Sequence, residues 1–217
     1  MPSFFQTTAP FPFATIALAV TSLFVIVAMV TKAMRSRRRT VWQQFGRRHH
    51  MAFDEVSDGP RLVGEVDHMH CVLETLADGS DTGPMGVEVV AMSLKYANGE
   101  DGNEQMPDSL AVESAVGSVG HVQSALTPNR VITGDEKFDQ EMLTVSRDQS
   151  AAMRWLTPRR RSALLELALH HRDKETICHP GRLVLRTRSA ISRLRDLEEM
   201  LTSLRTAADI IQRPATD

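Results

Sequence analysis

The chain has 217 residues, with 25 Lys and Arg against 27 Asp and Glu, eight His and two Cys, and a net charge of −2. Two cysteines exclude a disulfide-built scaffold, and the length allows a membrane anchor followed by one domain large enough to bury its own core. The net charge hides three blocks: residues 32–50 carry seven basic and no acidic side chains, 51–146 carry 18 acidic against 4 basic, and 147–217 carry 14 basic against 9 acidic.

The first predicted element is a transmembrane helix over Phe11–Thr31. Between Phe13 and Val30 its only polar side chains are Thr15, Thr21 and Ser22, and as a helix it covers ~31 Å, the thickness of a bilayer's hydrocarbon core. Pro10 and Pro12 suit a helix start. The 31 residues up to Thr31 carry no charge, whereas Lys32, Arg35, Arg37, Arg38, Arg39, Arg47 and Arg48 follow. Basic residues near a span stay in the cytoplasm, so the short tail 1–10 is expected outside and the C-terminal domain inside. A cleaved signal peptide fits poorly: its charge belongs before the apolar run, and Ala28-Met29-Val30-Thr31 offers no small-x-small site. The same seven basic side chains form a membrane-surface collar that attracts anionic headgroups at ~1 kcal/mol each. A basic run fastened to the bilayer is a poor nucleic-acid arm, so no nucleic acid is expected as a partner. The acidic block should be repelled by those headgroups and hold the domain off the membrane.

Residues 32–50 form a basic juxtamembrane helix; 40–50 read as a helix continuing from the membrane or starting just after it, with Val41, Trp42, Phe45 and His49 on one face and Trp42 packed on the domain. Residues 51–188 read as an α+β domain. Arg61–Val66 and Met69–Leu76 make a hairpin around Asp67-His68; Gly86–Tyr96 is β-rich; Leu110–Val116 is a weaker strand; Glu141–Ser146 alternates as another. Asp148 caps a helix through Trp155, and Thr157-Pro158 opens a second that runs to His170. A hairpin follows, Glu175–Cys178 and Leu183–Leu185 about His179-Pro180-Gly181. Residues 189–217 hold a helix from Ser189 to Gln212. Its stripe of Ala190, Leu194, Leu197, Leu201, Leu204, Ala208 and Ile211 either covers the sheet or zips two copies together. Three heptads are short for a zipper, so packing within the chain is favoured, with Leu194, Leu197, Leu201, Leu204 and Ile211 as the self-association set otherwise.

No linear motif names a reaction. Gly117-Ser118-Val119-Gly120-His121 lacks the spacing of a nucleophile elbow, and no phosphate-binding or dinucleotide loop occurs. His68, His70, Cys71, Cys178 and His179 lack the spacing that converges on zinc, since neighbours on a strand point apart. Asn98–Glu104 lacks the ligand order of a calcium loop. No catalytic residue, metal ligand or cofactor is expected. Arg159, Arg160 and Arg161 crowd the positive end of a helix, which is unfavourable unless something negative faces them. They dock an anion or acidic partner, or they pair with the acidic block; the second needs no ligand and is preferred.

Residues 134–169 carry Asp135, Phe138, Asp148, Gln149, Trp155, Leu156, Thr157 and Pro158. This run resembles a bacterial family of membrane-anchored proteins of unknown function with a D-x-x-F, D-Q, L-T-P signature; Met142 stands where that pattern has an aromatic residue. The resemblance implies an inner-membrane protein with a cytosolic α+β domain, and no activity. The resulting expectation is a single-pass protein whose domain binds an unknown protein partner or a second copy. The alternatives are a tethered enzyme whose site no linear motif exposes, and an anionic-lipid sensor.

Overall fold

The computed structural model describes residues 13–56, 59–77, 88–96, 105–114, 128–189 and 191–213. Its first element, α1, is one uninterrupted helix, Phe13–Arg48. No Gly or Pro occurs in it before Gly46, and the hydroxyls of Ser22 and Thr40 donate to the carbonyls of Leu18 (2.8 Å) and Ser36 (3.1 Å), so even its polar positions are satisfied within the helix. It stops where His50 turns left-handed (φ 54°), with Arg47 and Arg48 at the negative end of the dipole. The apolar run and the basic segment that follows it are therefore one helix, the continuous form of the two that the sequence allowed.

Eight strands follow, all paired antiparallel: β1 (Ala52–Val56), β2 (Gly59–Val66), β3 (Met69–Ala77), β4 (Glu88–Lys95), β5 (Ala111–Ser114), β6 (Met142–Val145), β7 (Glu175–His179) and β8 (Arg182–Thr187). Their order across the sheet is β1-β2-β3-β4-β8-β7-β5-β6, so the late hairpin β7–β8 is inserted between β4 and β5. The β2–β3 turn is Asp67-His68, with φ of 49° and 65°, the left-handed pair that a two-residue hairpin requires. Strand β1 was not legible beforehand, because its Asp54 and Glu55 mask any alternation.

Among the described residues four helices accompany the later strands: α2 (Glu136–Glu141), α3 (Gln149–Trp155), α4 (Pro158–His170) and α5 (Leu194–Gln212). Asp135 caps α2 by accepting from the Phe138 amide, Asp148 caps α3 from Ala151, and Thr157 caps α4 from Arg160. The strand expected from Glu141 begins at Met142, because α2 occupies the residues before it. Helix α5 begins at Leu194 and not at Ser189. Arg193 occupies its cap position without a side-chain bond to the first turn, and Ile191 is buried ahead of it.

One face of the sheet and the helices form a continuous core. The cross-strand row Leu62–Leu73–Met92–Leu185 meets Trp42 and Phe45 of α1, Leu164 of α4 and Leu197, Leu201 and Leu204 of α5 in that core. A glycine at 46 is obligatory there, since a Cβ would lie 2.6 Å from Leu62 Cδ2 and 3.2 Å from the Met51 carbonyl. The stripe on α5 thus serves the chain's own interior; Leu194 is half-buried, and Ala190 lies outside the described residues.

Candidate interaction surfaces

The joint between the apolar run and the domain is built on the last three turns of α1. The most apolar 18-residue window of the helix has a mean hydropathy of 1.7 and is wholly unburied, so α1 is long and apolar enough to cross a membrane. Lys32, Met34, Ser36 and Arg37 are also exposed, and burial begins at Arg38 (7% exposed) and is complete at Trp42 and Phe45. Arg39 pairs with Glu55 at 3.0 Å and lies 6.0 Å from the Phe53 ring. At the far end Glu198 of α5 takes both Arg48 (3.2 Å) and His49 (2.9 Å), and His49 stacks on Phe45 at 4.6 Å. Arg48 stands 17 residues past Thr31, ~26 Å along the helix, several Debye lengths away. Arg48 is tied to the domain through Glu198, and Arg47 is exposed. Only about six residues, ~9 Å, separate the apolar run from the first buried side chain.

The arginine triplet splits three ways. Arg159 is exposed. Arg160 is 4% exposed; its Nε donates to the Ile211 carbonyl (3.0 Å), its Nη1 to the Trp155 carbonyl (3.1 Å), and it lies 5.0 Å over the Trp155 ring. Arg161 pairs with Asp135 at 3.5 Å and donates to the Leu156 carbonyl at 2.8 Å. The pairing with the acidic block applies to Arg161. Arg160 bridges the C-terminal turn of α5 to the α3–α4 corner through main-chain carbonyls.

Four of the groups with shifted acidity are buried, whereas the exposed Asp148 is lowered chiefly by the Ala151 amide that it caps. Burial pushes the Cys71 and Cys178 thiols up to about 12, which leaves them protonated and inert. They occupy one cross-strand row, Cys71–Leu94–Leu183–Cys178, three strand spacings or ~14 Å apart, beyond disulfide reach. Tyr96 is raised by burial; its hydroxyl lies 3.6 Å from Cys178 Sγ and donates to the His179 carbonyl at 3.4 Å. His171, at the end of α4, is held down to about 4, chiefly by burial and then by Lys174 and His170, with its Nε2 buried and unbonded.

A groove of about 200 Å³ runs between α4 and α5 over Ala163, Leu167, Ser203 and Ala207, with Glu166 and His170 on its rim and His170 paired to Glu199 at 3.1 Å. The sheet face away from the core carries Arg61, Glu74, Arg182, Arg186 and Glu175, joined by ion pairs at 3.5–3.9 Å (Arg61–Glu74 3.5, Arg186–Glu175 3.6, Arg182–Glu74 3.9). His68 is exposed in its turn and His70 points away from the core row that holds Cys71. Among the described residues no group of three or more His, Cys, Asp or Glu is placed to hold a metal ion. Gly117–His121 and Asn98–Glu104 lie outside the described residues. The residues that carry the family resemblance are structural here: Asp135, Asp148, Thr157 and Pro158 start helices, Phe138, Trp155 and Leu156 are core, and Gln149 donates to the Arg130 carbonyl at 3.4 Å.

No family model and no curated protein matches the chain. Among solved structures it is similar to the crystal structure of the mycobacterial trehalose monomycolate transport factor A, TtfA, with a TM-score of 0.49 and 12% identity over 85% of this chain and 98% of that one. At that identity no residue role passes from one protein to the other.

Proposed function

We propose that this chain is a single-pass protein of a bacterial inner membrane, with its N-terminus outside, whose cytoplasmic domain binds a protein partner and catalyses no reaction. The observation that carries the reading is the unbroken passage of α1 from an apolar, unburied run into the core at Trp42 and Phe45. A domain fused to its anchor in this way is held at one height and one rotation beside its membrane neighbours, a geometry suited to docking. The groups most shifted in acidity, Cys71, Cys178, Tyr96 and His171, lie in the core, and none of them lines the groove between α4 and α5. Self-association would use a surface other than the Leu197, Leu201 and Leu204 part of the α5 stripe, which is already buried.

The test is photo-crosslinking in native membranes from probes at Glu166, Thr202, Glu175 and Arg186, followed by affinity purification. A discrete partner captured from one of these faces supports the reading. Uniform absence of adducts, together with turnover of a substrate by the purified chain, would replace it with the enzyme alternative. A cytosolic reporter fused after Asp217 should be active; activity of a periplasmic reporter there would reverse the orientation.

A further inference from the structure

The groove between α4 and α5 is open because its floor is small. Ala163 and Leu167 of α4 and Ala207 of α5 underlie it, all buried, and the two alanines leave free the space that longer side chains would fill. The helices run antiparallel along it: Arg160 meets the Ile211 carbonyl at one end, and His170 meets Glu199 at the other. From Ala163 to His170 the trough extends ~10 Å, two helical turns. Thr202, Thr206 and Ile210 form its α5 wall. The two threonine hydroxyls donate to the carbonyls of Glu198 (2.8 Å) and Thr202 (2.9 Å). With those hydroxyls spent on their own helix, the wall offers methyl groups.

The charges at the lip select the occupant. Glu166 lines the groove, is exposed and makes no ion pair with a described residue, and no Lys or Arg is among the described lining residues. Glu199 spends Oε1 on His170 and is 47% exposed, which leaves its other oxygen for a further donor. Arg159 and Arg213, both exposed, lie past the opposite end. We propose that this groove is the docking site for a cationic amphipathic helix of the partner protein. Its aliphatic side chains sit over Ala163, Leu167 and Ala207, and a Lys or Arg reaches Glu166 and Glu199. The small floor lets a third helix come close, and a basic side chain can lay its stem on the apolar wall while its head meets the carboxylate. A second copy paired about a two-fold axis would set groove against groove and fill neither. A phosphate or an anionic headgroup would be repelled by the unpaired Glu166. The inference rests on the reading of the domain as one that binds a protein.

The test uses the full chain in phosphatidylcholine nanodiscs and two fluorescent, stapled helical peptides of about 14 residues, with Leu on one face and either Lys or Glu on the flanks. Binding is read by fluorescence anisotropy, with empty nanodiscs as the blank. The Lys peptide should bind about tenfold more tightly than the Glu peptide. Glu166→Lys should weaken it about tenfold, and Thr202→Trp, which fills the groove from an exposed position, should abolish binding. Glu65→Lys, the same charge change at an exposed position of β2, should leave it unaltered, and circular dichroism checks that each variant is folded. Equal binding to the parent, Glu166→Lys and Thr202→Trp would put the peptide elsewhere and overturn the proposal. Preference for the Glu peptide, or binding of neither, would overturn it too. A chain that is dimeric by light scattering and monomeric as Thr202→Trp would give the groove to a second copy instead. If the groove fails while photo-crosslinking from Glu175 or Arg186 captures a partner, the protein-binding reading stands and only this site falls.

Discussion

Replacing Arg160 with Ala separates a structural guanidinium from an anion-docking one. Its head is buried, donates to two main-chain carbonyls at 3.0 and 3.1 Å, and covers the Trp155 ring at 5.0 Å. Removing it leaves the Ile211 carbonyl without that donor, at about 1–3 kcal/mol, costs about 1 kcal/mol or less at the Trp155 carbonyl, which keeps the Thr157 amide at 2.8 Å, and forfeits a desolvated cation–π contact of about 1–2 kcal/mol. The mutant is spared the cost of burying a charge, which returns part of the loss. A net destabilisation of about 3 kcal/mol is expected. Arg160→Lys should recover less than half of it, since an ammonium cannot serve both carbonyls with a guanidinium's fork geometry. Denaturant unfolding of the detergent-solubilised full chain, followed by near-ultraviolet circular dichroism, measures both. A loss below about 0.5 kcal/mol for Arg160→Ala would refute the reasoning and return the side chain to the surface as a docking group.

Trp155→Ala should cost about 3–5 kcal/mol in the same assay, because the indole is 2% exposed and also supports Arg160; a cost under about 1 kcal/mol would mean the corner is loosely packed. Leu201→Glu should unfold the domain by burying an unpaired carboxylate, and a folded, soluble mutant seen by light scattering and circular dichroism would contradict the interior placement of α5. His171 takes up its proton at about 4 in the native state but near 6.5 once unfolded, so its contribution is complete above about pH 6.5 and is lost as pH falls toward 4. That loss is about 2–3 kcal/mol, and His171→Phe should flatten this part of the stability–pH profile relative to the parent; parallel profiles would show that His171 is solvated.

Local chemistry was legible in the sequence where one or two residues decide a conformation. Asp67 and His68 tolerate the left-handed turn, Asp148 and Thr157 accept first-turn amides, and Gly181 (φ 67°) closes the β7–β8 hairpin. What depends on distant partners was not. The three arginines of α4 are alike in sequence, and only the arrival of the α5 C-terminus separates the buried Arg160 from the exposed Arg159. Strand β1 is held by pairing with β2 and by the Arg39–Glu55 bridge, which its own five residues do not announce. Helix α5 could not be started correctly from its stripe, because Ser189–Arg193 continue the apolar spacing without a cap. The groove between α4 and α5 was not legible either, because it forms only where the two helices pack together.

The claim on which the rest depends is that anchor and domain form one body through α1. Amide hydrogen exchange of the full chain in lipid nanodiscs tests it directly, residue by residue from Lys32 to Arg48. The account predicts that Arg38–Arg48 exchange as slowly as Leu62, Leu73 and Leu201, as one cooperative unit with the core into which Trp42 and Phe45 are packed. Fast, independent exchange across Arg38–Phe45, with the sheet still protected, would make α1 a loose tether and contradict the account.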